Sequence, residues 1–179
     1  FKKGDAMKKI ILALMLAACS LLSNTLTQIK EKGVIRIGID GSSPPFSVAK
    51  AGEYSGFEIL LIEGLVKEIF GDKGSKIQYV VTVGDDRIKA VQDNRVDLDI
   101  ALILVTKERE KLVDFSDPYF SVNIGVLTRS DDNIRKVSDL NGKTILAQPG
   151  TTVFDYFTKQ GYNVVPCASA NECFNDLKS

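Results

Sequence analysis

Between residues 34 and 105 the hydrophobic pattern switches repeatedly between a period of two and one of about 3.6, and this alternation constrains the fold more than any other feature. VIRIGID, from Val34 to Asp40, is a β-branched run suited to a strand and is stopped by the turn-rich GSSPPF. Lys50 to Ser55 reads as a hairpin or loop. FEILLIEGLVKEIF then sets Ile59, Ile62, Leu65, Val66, Ile69 and Phe70 along one helical face, with Gly71 at a favourable C-terminal position. KIQYVVTV reads as a strand, DDRIKAVQDN as a short helix opened by an Asp, and VDLDIALILV as another strand. Strands and helices in this order build a largely parallel sheet flanked by helices, the α/β class.

A second run of the same kind follows. SVNIGVLT is a long extended stretch, SDLNG a brief helix with a Gly stop, KTILAQ a strand, TTVFDYFTKQG a helix, YNVVP a strand and ASANECFNDLKS a last helix. The length of 179 residues allows one domain of full size or two small lobes, and 44% hydrophobic with 26% charged residues is ordinary for a folded chain. The element order favours two lobes, residues 34–120 and 125–179, with 121–124 as the crossover and a cleft between them.

The N-terminal part reads as an address. Residues 7–20, MKKIILALMLAACS, have the charged start, short apolar run and small-residue end of a secretory signal, and the run is too short to span a bilayer. Residues 1–18 are therefore read as upstream sequence plus signal peptide, and residues 19–33 as a polar linker. LAAC, ending at Cys19, is similar to a bacterial lipobox, in which the Cys carries the lipid. The alternative is cleavage further on, for instance after Ser23, which leaves a free periplasmic protein.

Several chemistries are excluded. Without His the chain lacks the commonest general base and metal ligand, and its three Cys form no CxxC pair. A formal charge of zero with no basic block outside the N-terminus gives no nucleic-acid surface. Cys167 and Cys173 flank a strand-to-helix turn; a disulfide is within reach there, but we read them as separate, partly buried thiols.

One residue is electrostatically odd. In ILVTKEREKLVDFSDPYF, Thr106 is suited to capping a helix, which sets Arg109 in the first turn, facing the positive end of the helix dipole. Two readings stand: Arg109 serves an anion bound outside the helix, or it is a solvated charge beside Glu108 and Glu110.

VIRIGIDGSSPPF, GFEILLIEGLVKEIFG, NRVDLDIALILVTKER, VDFSDPYF and DLNGKTILAQPGTT, in this order and spacing, resemble the bacterial extracellular solute-binding proteins of family 3, the amino-acid receptors of ABC importers. The likeness covers Val34 to Ser179. It implies a two-lobed, periplasmic-binding-protein-like (type II) α/β fold, expected here in C-terminally truncated form. It also implies a receptor, not an enzyme, that needs no cofactor. The implied ligand is a small polar amino acid, acidic or possessing a short polar side chain, cysteine included. The implied partners are that ligand and an ABC permease of the inner membrane, with a lipid anchor holding the protein to the membrane if Cys19 is modified. The implied address is the periplasm or the outer face of the cytoplasmic membrane.

The resemblance assigns roles residue by residue. Arg109 matches the Arg that clamps the ligand α-carboxylate, for which a planar guanidinium fork is suited. Gly150, Thr151 and Thr152 match the segment that offers hydroxyls and helix N-terminal amides to that carboxylate, and Thr151 can equally be a simple cap. Ala101 and Ile103 fall in the ligand-binding segment before the clamp. Arg87 matches an Arg that helps hold a carboxylate, the alternative being a helix charge paired with Asp85 or Asp86. Asp40, at the cleft mouth, is read as a contact for a ligand amine or as a turn cap. Leu104 replaces a usual Ser or Thr, while Ser43 and Gly84 stand where many members place aromatics, so a large apolar ligand fits poorly. The Asp that holds the α-amino group falls past Ser179. The same scaffold also carries cyclohexadienyl dehydratase-like enzymes and the ligand-binding modules of sensors, and these stay as alternatives.

Overall fold

The computed structural model describes residues 25–71 and 76–179. Helix α1 (Thr25–Lys32) precedes β1 (Val34–Ile39), after which come the short strands β2 (Ser42–Ser43), β3 (Ser47–Lys50) and β4 (Glu53–Ser55). Then follow α2 (Phe57–Phe70), β5 (Lys76–Val81), α3 (Asp86–Gln92) and β6 (Leu98–Asp99). The second half holds β7 (Thr144–Ala147), α4 (Thr152–Lys159), β8 (Asn163–Pro166) and α5 (Ala170–Lys178). Single turns of 3-10 helix lie at Arg109–Lys111 and Val137–Leu140.

The first lobe is built on a parallel sheet in the order β5-β1-β6, with Ile37 of β1 paired to Tyr79 on one side and Leu98 on the other. Ile35, Ile37 and Ile39 project from β1 onto Ile59, Ile62 and Val66 of α2, and these six are nearly inaccessible to solvent. Burying each such side chain contributes roughly 1.5–3 kcal/mol. Leu65, expected on the packed face, is exposed instead. The buried stripe of α2 is therefore narrower than its sequence suggested. The PPF turn starts α2: Pro45 and Phe46 carbonyls accept from the backbone N–H groups of Phe57 and Glu58, at 3.0 and 2.9 Å. These bonds satisfy donors that a helix start leaves open.

Two expectations are corrected. The segment read as a linker holds helix α1, anchored by Ile29, which is buried in the first-lobe core. VDLDIALILV is not one long strand; β6 is only Leu98–Asp99. The ladder ends where Ile100 N–H donates to Gly38 O at 2.9 Å, and Leu102 then takes φ +56, which turns the chain out of the sheet.

The second lobe has its own core. Parallel strands β7 and β8 pair in register from Thr144↔Asn163 to Ala147↔Pro166, and Phe157 of α4 packs with Leu140 and Ile145. Residues 120–127 carry no helix or strand and are exposed throughout. Cys167 and Cys173 are joined as a disulfide with Cα atoms 5.4 Å apart, so the reading as separate thiols is overturned. That separation is ordinary for a disulfide, and helix α5 starting at Ala170 swings Cys173 back toward the end of β8. Among the described residues no helix is long and apolar enough to cross a membrane.

Candidate functional site

The loop that carries Arg109 is shaped from behind by Glu58. This carboxylate of α2 is fully buried, and its Oε1 accepts from Leu102 N–H at 2.9 Å and from the Tyr119 hydroxyl at 2.5 Å. Burial and the Glu58 carboxylate push the Tyr119 phenol well above its ordinary range, so it stays a donor. Further along, Thr106 Oγ1 accepts from Arg109 N–H at 3.2 Å, the cap expected from the sequence. Only one 3-10 turn follows, so the helix expected after Thr106 is a single turn and its dipole opposition to Arg109 is small.

Arg109 is half-buried and bridges the lobes. One guanidinium nitrogen, Nη1, donates to Leu104 O at 2.9 Å in its own loop, and Nη2 donates to Gly150 O at 3.0 Å in the second lobe. It is thus not a solvated charge beside Glu108 and Glu110. Burial and the nearby Arg87 guanidinium pull its pKa below the usual arginine value, and Asp155 and Asp85 oppose this. Arg109 and Arg87 thus act on one another electrostatically in this cleft, with acids close by.

On the other wall, Gly150 has φ +74 and precedes Thr151, the N-cap of α4. Thr151 Oγ1 accepts from Phe154 N–H at 3.2 Å and donates to Gln148 O at 2.7 Å, so the capping role holds. Thr152 is the first residue of α4 and is partly buried.

Asp40, Ser43 and Arg87 come together at the C-terminal edge of the first sheet. Asp40 Oδ1 accepts from Ser42 N–H at 3.0 Å and from both Ser42 and Ser43 hydroxyls at 2.8 Å, while Oδ2 pairs with Arg87 Nη2 at 3.2 Å. Arg87 is buried and does not pair with Asp85 or Asp86; the latter pairs with Arg95. Its Nε has no partner among the described residues. Ala101 is fully buried and Ile103 partly so. Cys19 lies outside the described residues.

Two groups were missed by reading the sequence. Asp99 sits among apolar neighbours in VDLDIALILV, and that break in the run was its only signal. Its Oδ2 accepts from Thr82 Oγ1 at 2.8 Å in a recess that exists because Gly38, opposite it in β1, has no side chain. Burial pushes its carboxyl up to about 6, against the opposing pull of the Thr82 hydrogen bond and the Arg87 charge. Glu58 gave no signal of its own, since an acid in the first turn of a helix is common.

Residues 35–173 match the family model described as bacterial extracellular solute-binding proteins, family 3. A glutamine-binding protein of Geobacillus stearothermophilus is 33% identical over 162 residues, which cover 88% of this chain and 62% of that protein. The crystal structure of a cysteine-binding protein from Campylobacter jejuni superposes with a TM-score of 0.81 at 36% identity, covering 87% of this chain and 64% of the other. An ancestral amino-acid-binding protein, described as a precursor of cyclohexadienyl dehydratase, gives a TM-score of 0.78 at 32% identity over 87% of this chain and 70% of its own. The chain thus spans less than two thirds of the first two proteins, and its fold is that of type II periplasmic binding proteins. By sequence and by architecture, the chain belongs to the bacterial extracellular solute-binding proteins of family 3.

Proposed function

We propose that the full-length protein is an exported receptor that captures a small polar amino acid and delivers it to an ABC permease in the inner membrane. The observation that carries this reading is the position of Arg109, whose guanidinium reaches from the loop of one lobe to Gly150 of the other. A ligand carboxylate would exchange for the two carbonyls now bound, and an ionised acceptor makes the stronger, shorter bonds. Arg87, Thr151, Thr152, Ser43, Ala101 and Ile103 complete the proposed site, with Asp40 holding Arg87 and the Ser42–Ser43 turn in place. The glutamine-binding and cysteine-binding relatives support the substrate class. Cys19 is the proposed lipid attachment point, and the periplasm or outer face of the cytoplasmic membrane the proposed address.

For Asp40, a binding role fits better than acid catalysis. Asp40 would be the acid of a dehydratase, yet three donors occupy its Oδ1 and a guanidinium its Oδ2. Calorimetry with Asp, Glu, Gln, Ser, Cys, Phe and Trp tests the reading. We expect binding among the first five, weakened roughly 30-fold or more in Arg109→Ala and only partly recovered in Arg109→Lys. Tight binding of Phe or Trp alone, or unchanged affinity in Arg109→Ala, would overturn it.

A further inference from the structure

The lobes meet backbone to backbone at two glycines. A Cβ built on Gly84, in the loop leading to α3, would stand 2.8 Å from Pro149 O of the second lobe. A Cβ on Gly150 would stand 2.5 Å from Asp85 Oδ1 and would also collide with the Asp85 backbone nitrogen. Both distances are below what real Cβ contacts show, so neither loop has room for any side chain at these points. The Arg109 bond to Gly150 O fastens the same junction.

We propose that Gly84 and Gly150 form a closure seat: the absence of side chains at both lets loops 84–85 and 149–150 press together, and this contact sets how far the lobes shut around the site. The proposal rests on the receptor reading for its ligand consequence, but the seat itself is a geometric claim about this chain. A side chain at either position would prop the lobes apart before the ligand carboxylate reached both walls.

Backbone strain is separable from contact because each seat glycine has a matched partner in open space. Gly150 and Gly142 share φ +74, and Gly84 at φ +56 is close to Gly33 at φ +64. A Cβ on Gly142 or Gly33 would meet nothing within 4 Å. Alanine at the control positions therefore carries the left-handed strain alone, and alanine at the seat carries strain plus collision.

Spin labels at Lys89→Cys on α3 and Lys159→Cys on α4, both exposed, report the inter-lobe distance in full-length protein carrying Cys19→Ser. We expect a short-distance population in the parent that grows with L-glutamine or L-glutamate. Gly142→Ala and Gly33→Ala should keep it, whereas Gly150→Ala and Gly84→Ala should lose it and bind about tenfold more weakly than their controls. The seat positions lie in different lobes, so if one variant fails to fold the other decides. Distance distributions identical between seat and control variants, or no short population in the parent under any condition, would overturn the proposal. A parent that closes on the seat yet binds no amino acid would overturn the receptor reading and leave the seat standing.

Discussion

Replacing Asp40 by alanine should destabilise the first lobe by several kcal/mol, roughly the cost of breaking a buried ion pair. The Asp40 and Arg87 side chains are 7% and 9% exposed, so the pair sits in a poorly solvated place. Removing one member of such a pair leaves the other charge buried and uncompensated, which costs about 3–5 kcal/mol. Arg87 is ill placed to recover, because its Nε already has no partner among the described residues. Ser42 N–H and two hydroxyls also lose their acceptor, but exposed Ser42 can turn to water, so the addition is about 1 kcal/mol or less. We therefore expect roughly 4 kcal/mol for Asp40→Ala. Arg87→Met should cost less, roughly 2 kcal/mol, because Asp40 keeps three of its four donors. The double variant should cost clearly less than the sum. Urea unfolding followed by far-ultraviolet circular dichroism is the suitable assay, since the chain has no Trp for fluorescence. Equal costs for the two single variants would refute the support given to Asp40 by its three turn donors, and strict additivity in the double would refute the coupling of the two buried charges.

Two further outcomes are expected. Asp99 titrates near 6 in the folded protein against an ordinary 3.8, so the native state binds the extra proton between those values and stability falls as pH rises through that window. The loss amounts to roughly 2 kcal/mol, and urea midpoints measured from pH ~4 to ~7 should flatten in Asp99→Asn; an unchanged slope would remove Asp99 as its source. If Cys19 carries a lipid, Cys19→Ala should move the full-length protein from the membrane to the soluble fraction, and unchanged fractionation would mean that another signal holds it there.

The parts of the structure legible in the sequence are those encoded by neighbours. Helix α2 runs over the residues its apolar period marks, and Thr106 caps the turn of Arg109 because both signals lie within four residues. The parts that were not legible depend on distant groups. Asp40 and Arg87 are 47 residues apart and Glu58 and Leu102 are 44 apart, and no local pattern encodes either bond. VDLDIALILV has the composition of a long strand, but strand length is decided by the partner, and β1 offers it only Ile37 and Gly38 as paired positions. Cys167 and Cys173 carried the same difficulty at short range, since their pairing depends on how the β8–α5 turn bends. Helix α1 escaped notice because its sequence is mostly polar, with Ile29 its buried residue.

Glu58 illustrates how loss of binding can arise far from a ligand. One buried oxygen receives hydrogen bonds from Leu102 and Tyr119, so α2, the start of the Arg109 loop and the exit from the first lobe share a single acceptor. A lesion there would release the loop at its root, and in a genetic screen it would be indistinguishable from a lesion in the clamp itself. Inactive alleles mapping to the hidden face of α2 would then record the scaffolding of the site, and only the alleles that keep Leu102 tethered would record its contacts.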